Sequence, residues 1–270
     1  MLDLLIFLGL LMAIFLGAGW IIGGFTGMLI AFILAVIVNF FSYWYSDTIV
    51  LRMYRARPSK HIELENMLAK LSREAGIPTP KLYVIPIDTP NAFATGRDPN
   101  HAAVAYTEGL LKLKNEEIEG VLAHEIAHIK NRDTLLQVMA ATIAGAISYL
   151  AQFGYWSLFF EGDTREEGNI IGLIAIIIFA PLAALLLKLA LSRSREYAAD
   201  YKAALLTKRP RALASALEKI AEMVKEKPLK NMSSATSHLF IVNPFRQDWF
   251  NNLFSTHPPI EERVKRLREM

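Results

Sequence analysis

His124 and His128 stand four residues apart with Glu125 beside the first, inside the stretch NEEIEGVLAHEIAHIKNRD at 115–133. On a helix, positions i and i+4 project from one face a turn apart. Two imidazoles held that way can bind one Zn²⁺, and Glu125 can act as general base toward a water that the metal activates. The stretch has helical marks of its own. Asn115 is a good N-cap, and Glu116, Glu117 and Glu119 load acid onto the end the helix dipole favours. Ile118, Val121, Leu122, Ile126 and Ile129 recur at three- and four-residue steps as an apolar stripe. The competing reading is a chance pattern, two solvated histidines on an amphipathic helix.

A catalytic zinc wants a third protein ligand and one open position. Ser192–Asp200 (SRSREYAAD) supplies Glu196 and Asp200, again four apart and on one helical face. Glu196 is the expected third ligand. Asp200 is the expected acceptor that orients a ligating histidine. The competing reading is a surface helix with charges of both signs.

Those two helices must be brought together by the rest of the chain. Of its 270 residues, 53% are hydrophobic and 20% charged, and the mean hydropathy is +0.29. That balance implies membrane spans joined to a soluble part. There is no cysteine, so disulfides and thiolate metal sites are excluded and any zinc must use His and carboxylate. The net charge of +3 is mild, and no basic run is interleaved with aromatics. Nucleic acid is therefore not an expected partner, whereas membrane lipid is. Nothing in the sequence sets an oligomeric state.

Four apolar stretches punctuate the chain. Residues 1–45 hold two expected transmembrane helices, Leu2–Ile22 and Phe25–Tyr45, with Gly23-Gly24 as the turn between them. No Lys or Arg precedes the first, so it is expected to be retained rather than cleaved as a signal. Residues 46–134 are the first soluble part. It has a helix over Ile62–Ala75, a strand over Lys81–Ile87 weakened by Pro86, and a loop or short strand at Asn91–Gly96. A second strand over His101–Tyr106 follows, then a short helix capped by Thr107. Residues 135–191 hold two further hydrophobic helices around an acidic linker, the first continuing the metal helix without a break. A buried helical hairpin is the alternative for these two. Residues 192–270 complete the soluble part, ending in a charged helix over 261–270. With four spans, both soluble parts lie on one side, flanked by Arg52, Arg55, Arg57, Arg193 and Arg195. The positive-inside rule makes that side the cytoplasm. The expected fold is thus mainly α with a small β-sheet, a multi-pass protein of the cell membrane.

The pair His124-Glu125-x-x-His128 and Glu196-Tyr197-x-Ala199-Asp200 resembles the gluzincin metalloproteases. With the alternation of spans and soluble parts, it more closely resembles the HtpX membrane-bound heat-shock proteases and the related CAAX prenyl endopeptidases. The resemblance implies one Zn²⁺ per chain on His124, His128 and Glu196, with Glu125 activating water. It implies that Asn91, Ala92 and Phe93 form a substrate-binding edge strand. It also implies that His257 reaches the site, stabilising the oxyanion or latching the zinc, and that Arg263 pairs with Asp200. The implied activity is endopeptidase cleavage of protein or peptide substrates, damaged or misfolded membrane proteins among them. Two rivals stand beside it. One is a non-catalytic membrane scaffold with a structural zinc closed by Asp200 or His257. The other is a protease cutting within the bilayer, against which the charged ends of the metal helix count.

Overall fold

The computed structural model of the chain describes residues 2–137, 193–228, 239–243 and 258–270. The third and fourth apolar stretches, the acidic linker and His257 therefore lie outside the described residues, apart from Leu135–Gln137 at the start of the third stretch.

Helix α1 runs Leu2–Met53. Where two spans joined by a Gly-Gly turn are expected, the backbone is one helical element, and Gly24 within it takes a left-handed φ of 57°. No loop intervenes. In so apolar a segment, backbone groups find partners only within the helix, yet a left-handed residue cannot continue a right-handed path. The departure is confined to Gly24, and the element is otherwise one helix. Gly24–Tyr45 is 22 residues long and apolar enough to cross a membrane.

The end of α1 leads into a four-stranded sheet ordered β1-β2-β4-β3. Strand β1 (Arg57–Pro58) pairs antiparallel with β2 (Lys81–Ile85). Strand β2 runs parallel to β4 (Ala102–Thr107), with Leu82 opposite Val104. Strand β3 (Ala92–Gly96) pairs antiparallel with β4, with Ala94 opposite Val104. The segment Asn91–Gly96 is thus an edge strand after an initial Asn. Strand β2 stops before Pro86, which has no N–H to continue the ladder. Thr107 is the N-cap of the short 3₁₀ turn at Glu108–Lys112, as expected, but its side chain makes no capping bond there. Its hydroxyl accepts from Asn91 N–H at 2.7 Å and donates to Asn91 C=O at 3.1 Å, pinning the start of β3.

Helix α2 (Ile62–Ala75) ends on Gly76 at φ 72°. Helix α3 (Asn115–Asn131) lies at the centre, against α2, β3, α4 (Arg193–Thr207) and α5 (Pro210–Glu226). The apolar stripe foresees part of this, since Ile118, Val121, Leu122, Ile126 and Ile129 are all buried. But Ala123 and Ala127 are buried too, and α3 is covered all round. Small residues allow it: a Cβ on Gly120 would come within 3.1 Å of Leu213 on α5. Asn115 is not the N-cap. Lys114 is, and Glu117 accepts its N–H at 3.0 Å. The closing helix α6 (Ile260–Arg268) packs on α5.

The expected seamless run from α3 into the third apolar stretch does not occur. Arg132 is left-handed at φ 61° and ends α3, and helical backbone resumes at Asp133. The break turns Asp133 back toward α3, which matters for the site.

Candidate active site

Helices α3 and α4 pack side by side, so the two four-residue motifs meet. One nitrogen each of His124 and His128 and one oxygen of Glu196 all lie within 4.8 Å of one another, and all three residues are buried. His124 Nε2 and His128 Nε2 are 3.1 Å apart. Glu196 Oε1 is 3.4 Å from His128 Nε2, and Oε2 is 3.8 Å from His124 Nε2.

Each imidazole is backed on its other nitrogen by a carboxylate. His124 Nδ1 lies 2.9 Å from Asp200 Oδ1, and His128 Nδ1 lies 3.2 Å from Asp133 Oδ2. Each carboxylate is in turn held by an arginine. Arg263 grips Asp200 with two bonds of 2.8 Å, through Nε and Nη2. Arg195 Nη1 reaches Asp133 at 3.3 Å. Arg263 is fully buried, and its Nη1 also lies 3.4 Å from Glu196 Oε2.

The electrostatics follow from this arrangement. Burial alone would push the His128 pKa down, but Asp133 and Glu196 more than reverse it and raise it to about 10. Burial holds the His124 pKa below its ordinary value, against the pull of Asp200. The cluster therefore favours positive charge between the two Nε2 atoms, which lie 3.1 Å apart. With both Nδ1 atoms turned to carboxylates, the two Nε2 atoms and the Glu196 carboxylate converge as the His₂Glu donor set that zinc takes in catalytic sites. The residues fit the metal.

Glu125 is buried beside this group, and its carboxylate receives the backbone N–H of Ala94 on β3. Burial, reinforced by Glu196 and opposed by His128, pushes its pKa up to about 7. A base poised near neutrality suits proton transfer at neutral pH.

The expected edge-strand residues are not open to solvent. Asn91, Ala92 and Phe93 are all buried. Ala92 C=O accepts from Ile241 N–H at 3.1 Å, and Asn91 Nδ2 donates to Val242 C=O at 2.7 Å. Asp133, Arg195 and Ile241 are the participants the sequence reading misses. Asp133 shows no periodic relation to His128 until Arg132 turns the chain, and Ile241 acts through its backbone.

A buried histidine pair and glutamate from two packed helices, with a further glutamate at the edge of a small sheet, define a metalloprotease. Residues 58–270 match peptidase family M48. The chain is 55% identical to the protease HtpX homolog of Pyrococcus furiosus, over 97% of this chain and 94% of that one. It is 50% identical to the protease HtpX homolog of Persephonella marina, over 97% and 94%. Ste24p of S. mikatae shares the fold with a TM-score of 0.53 at 22% identity, over 96% of this chain and 62% of that one. The chain belongs to peptidase family M48.

Proposed function

We propose that this metalloprotease is a membrane-anchored zinc endopeptidase that cuts extended polypeptides on the cytoplasmic side. The observation that carries the reading is the convergence of His124, His128 and Glu196 within 4.8 Å beside buried Glu125. His124, His128 and Glu196 would hold the zinc, which would supply Lewis acidity, lowering the pKa of a water toward ~7 and polarising a carbonyl. Glu125 accepts the proton from water and returns it to the leaving amine. Asp200 and Asp133 hold the imidazoles in register. The substrate lies extended along the outer edge of β3, whose Ala94 amide already touches Glu125. His257 is proposed to stabilise the developing oxyanion or to latch the zinc at rest.

Anchoring rests on α1. Phe25, Leu29, Ile30, Phe32, Ile33, Phe40 and Phe41 all point outward from it, which suits lipid far better than water. Two spans within 1–45 and two within 135–191, with 46–134 and 192–270 together on the cytoplasmic side, complete the proposed topology. Misfolded or damaged membrane proteins are the proposed substrates. The scaffold alternative needs a fourth ligand. Asp200, one candidate, is engaged by Arg263 and His124 instead.

Glu125→Gln in the full chain tests the reading. The variant is expected to keep zinc and its melting temperature while losing cleavage of unfolded casein. Cleavage at the wild-type rate by this variant would refute the role of Glu125. Absence of cleavage by zinc-loaded wild type would favour the scaffold.

A further inference from the structure

Backbone groups along β3 alternate in direction, as they must in an antiparallel pair. Thr107 N–H donates to Asn91 C=O at 3.0 Å, so Asn91, Phe93 and Thr95 face β4. Ala92, Ala94 and Gly96 consequently face the outer edge. That edge is already in use. Gly96 C=O takes the Thr134 hydroxyl at 2.9 Å, and Ala94 N–H is at Glu125. Ala92 C=O takes Ile241 N–H. The Asn91 side-chain amide brackets Val242, donating to its C=O at 2.7 Å and accepting its N–H at 3.4 Å. Leu239–Val242, largely a run of bends rather than a strand, thus covers the start of β3 through one backbone bond to Ala92 and the side-chain amide of Asn91.

This short strap is firmly seated. All four of its residues are buried, and the Phe240 ring stands edge-on to Phe93 at 5.2 Å and to Tyr54 at 5.0 Å. The next peptide unit turns toward the candidate site, where the Ile241 C=O accepts from Arg263 Nη1 at 2.9 Å. Releasing it costs the arginine one bond, because Nε and Nη2 keep Asp200.

We propose that Leu239–Val242 is a built-in competitor for the substrate strand and that it sets substrate selection. A polypeptide pairs along β3 past Glu125 only by displacing the strap from Asn91 and Ala92. A long extended chain offers enough backbone pairing and side-chain burial to do so. A short peptide, with two or three pairing residues, does not. The protease is thereby selective for unfolded chains over small peptides. This inference rests on the proposed reading that substrate lies along β3.

Two measurements test it on the full-length, zinc-loaded protein in detergent. The first is hydrogen–deuterium exchange on Glu125→Gln with and without saturating unfolded casein. Amides of 239–243 are expected to lose protection when casein binds; unchanged or increased protection overturns the proposal. The second compares wild type with Phe240→Leu, which loosens the strap without touching Arg263 or Glu125. Loss of the two ring contacts is expected to raise kcat/KM for a quenched short peptide about tenfold, through KM, with a much smaller change for casein. Equal changes for both substrates overturn the proposal. Wild type that cleaves neither substrate fails the endopeptidase reading itself, whereas casein cleavage with the strap still protected fails only the strap.

Discussion

The two halves of the candidate metal site follow one plan and differ in depth. On each side an imidazole Nε2 faces the metal position, its Nδ1 faces a carboxylate, and an arginine holds the carboxylate. On the His124 side the arginine is fully buried and grips Asp200 through two bonds of 2.8 Å. On the His128 side Arg195 is partly exposed and reaches Asp133 through Nη1 at 3.3 Å. The difference separates two jobs. Arg263 is a charge taken wholly out of water, so Asp200 and Glu196 are needed to keep it there and it is needed to keep them. Arg195 retains solvent, so its bond to Asp133 trims an orientation that the fold already imposes.

The comparison breaks most visibly at Arg263. Replacing it with Met leaves Asp200 and Glu196 buried beside a neutral side chain. Removing one partner of a buried pair costs about 3–5 kcal/mol. Denaturant unfolding of Arg263→Met should show a loss of that size, and loss below about 1 kcal/mol would mean that the His124 side is no deeper in effect than the His128 side.

Chelation sharpens the comparison through pH. In the metal-stripped protein, His128 has its pKa raised to about 10 by Asp133 and Glu196, over the opposition of burial. A folded-state pKa above the ordinary 6.5 means that the folded state holds the proton more tightly. The stabilisation is complete below pH 6.5 and is lost as pH rises from 6.5 through 10. Glu125, raised to about 7 by burial, adds loss of the same sign between about 4.5 and 7. His124, held below its ordinary pKa by burial, acts with the opposite sign below about 6.5. Thermal melts of the chelated protein should therefore fall steadily from pH 7 to pH 10. Zinc, taking the place of the His128 proton, should flatten the curve above pH 7. A chelated protein equally stable at pH 7 and pH 10 would contradict the charge assignment.

Asp200→Asn and Asp133→Asn place the two sides in direct contrast. Loss of a carboxylate behind a metal-binding histidine lowers metal affinity about 10- to 100-fold. Asp200→Asn also leaves Arg263 without its bidentate partner, so it should lose stability along with zinc affinity. Asp133→Asn should lose affinity with little change in melting. Competition with a fluorescent zinc chelator, beside thermal melts, resolves the two. Identical stability losses would erase the distinction.

The sequence made one side far more legible than the other. Asp200 follows Glu196 by one helical turn, so its approach to His124 can be anticipated from spacing alone once both helices are assigned. Arg263 came only with the family resemblance, because nothing local ties residue 263 to residue 200. Asp133 was hidden by a backbone detail. A helix continued through Arg132 would carry Asp133 away from His128, and no Gly or Pro marks the left-handed turn that brings it back. The apolar stripe of α3 identified one buried face but not the others, since Ala123 and Ala127 become core only through the close approach that Gly120 permits. The Leu239–Val242 strap left no signature at all. It acts mainly through backbone groups and lies in a stretch without periodicity.

Arg195→Met carries the smallest expected effect and the sharpest reading of the comparison. The side chain is partly exposed and meets Asp133 at 3.3 Å, so the pair belongs with solvent-screened ion pairs worth about 0–1 kcal/mol. Asp133 keeps His128 without it, and the imidazole stays in register. Zinc affinity should fall by less than about fivefold, within that energy range, and melting should barely move. The contact should also weaken in salt, so wild type and variant should converge as ionic strength rises toward 1 M, where the Debye length shrinks to about 3 Å. A loss as deep as that of Asp133→Asn, undiminished by salt, would show that Arg195 is as indispensable to its carboxylate as Arg263 is to Asp200, and that the two halves are equals after all.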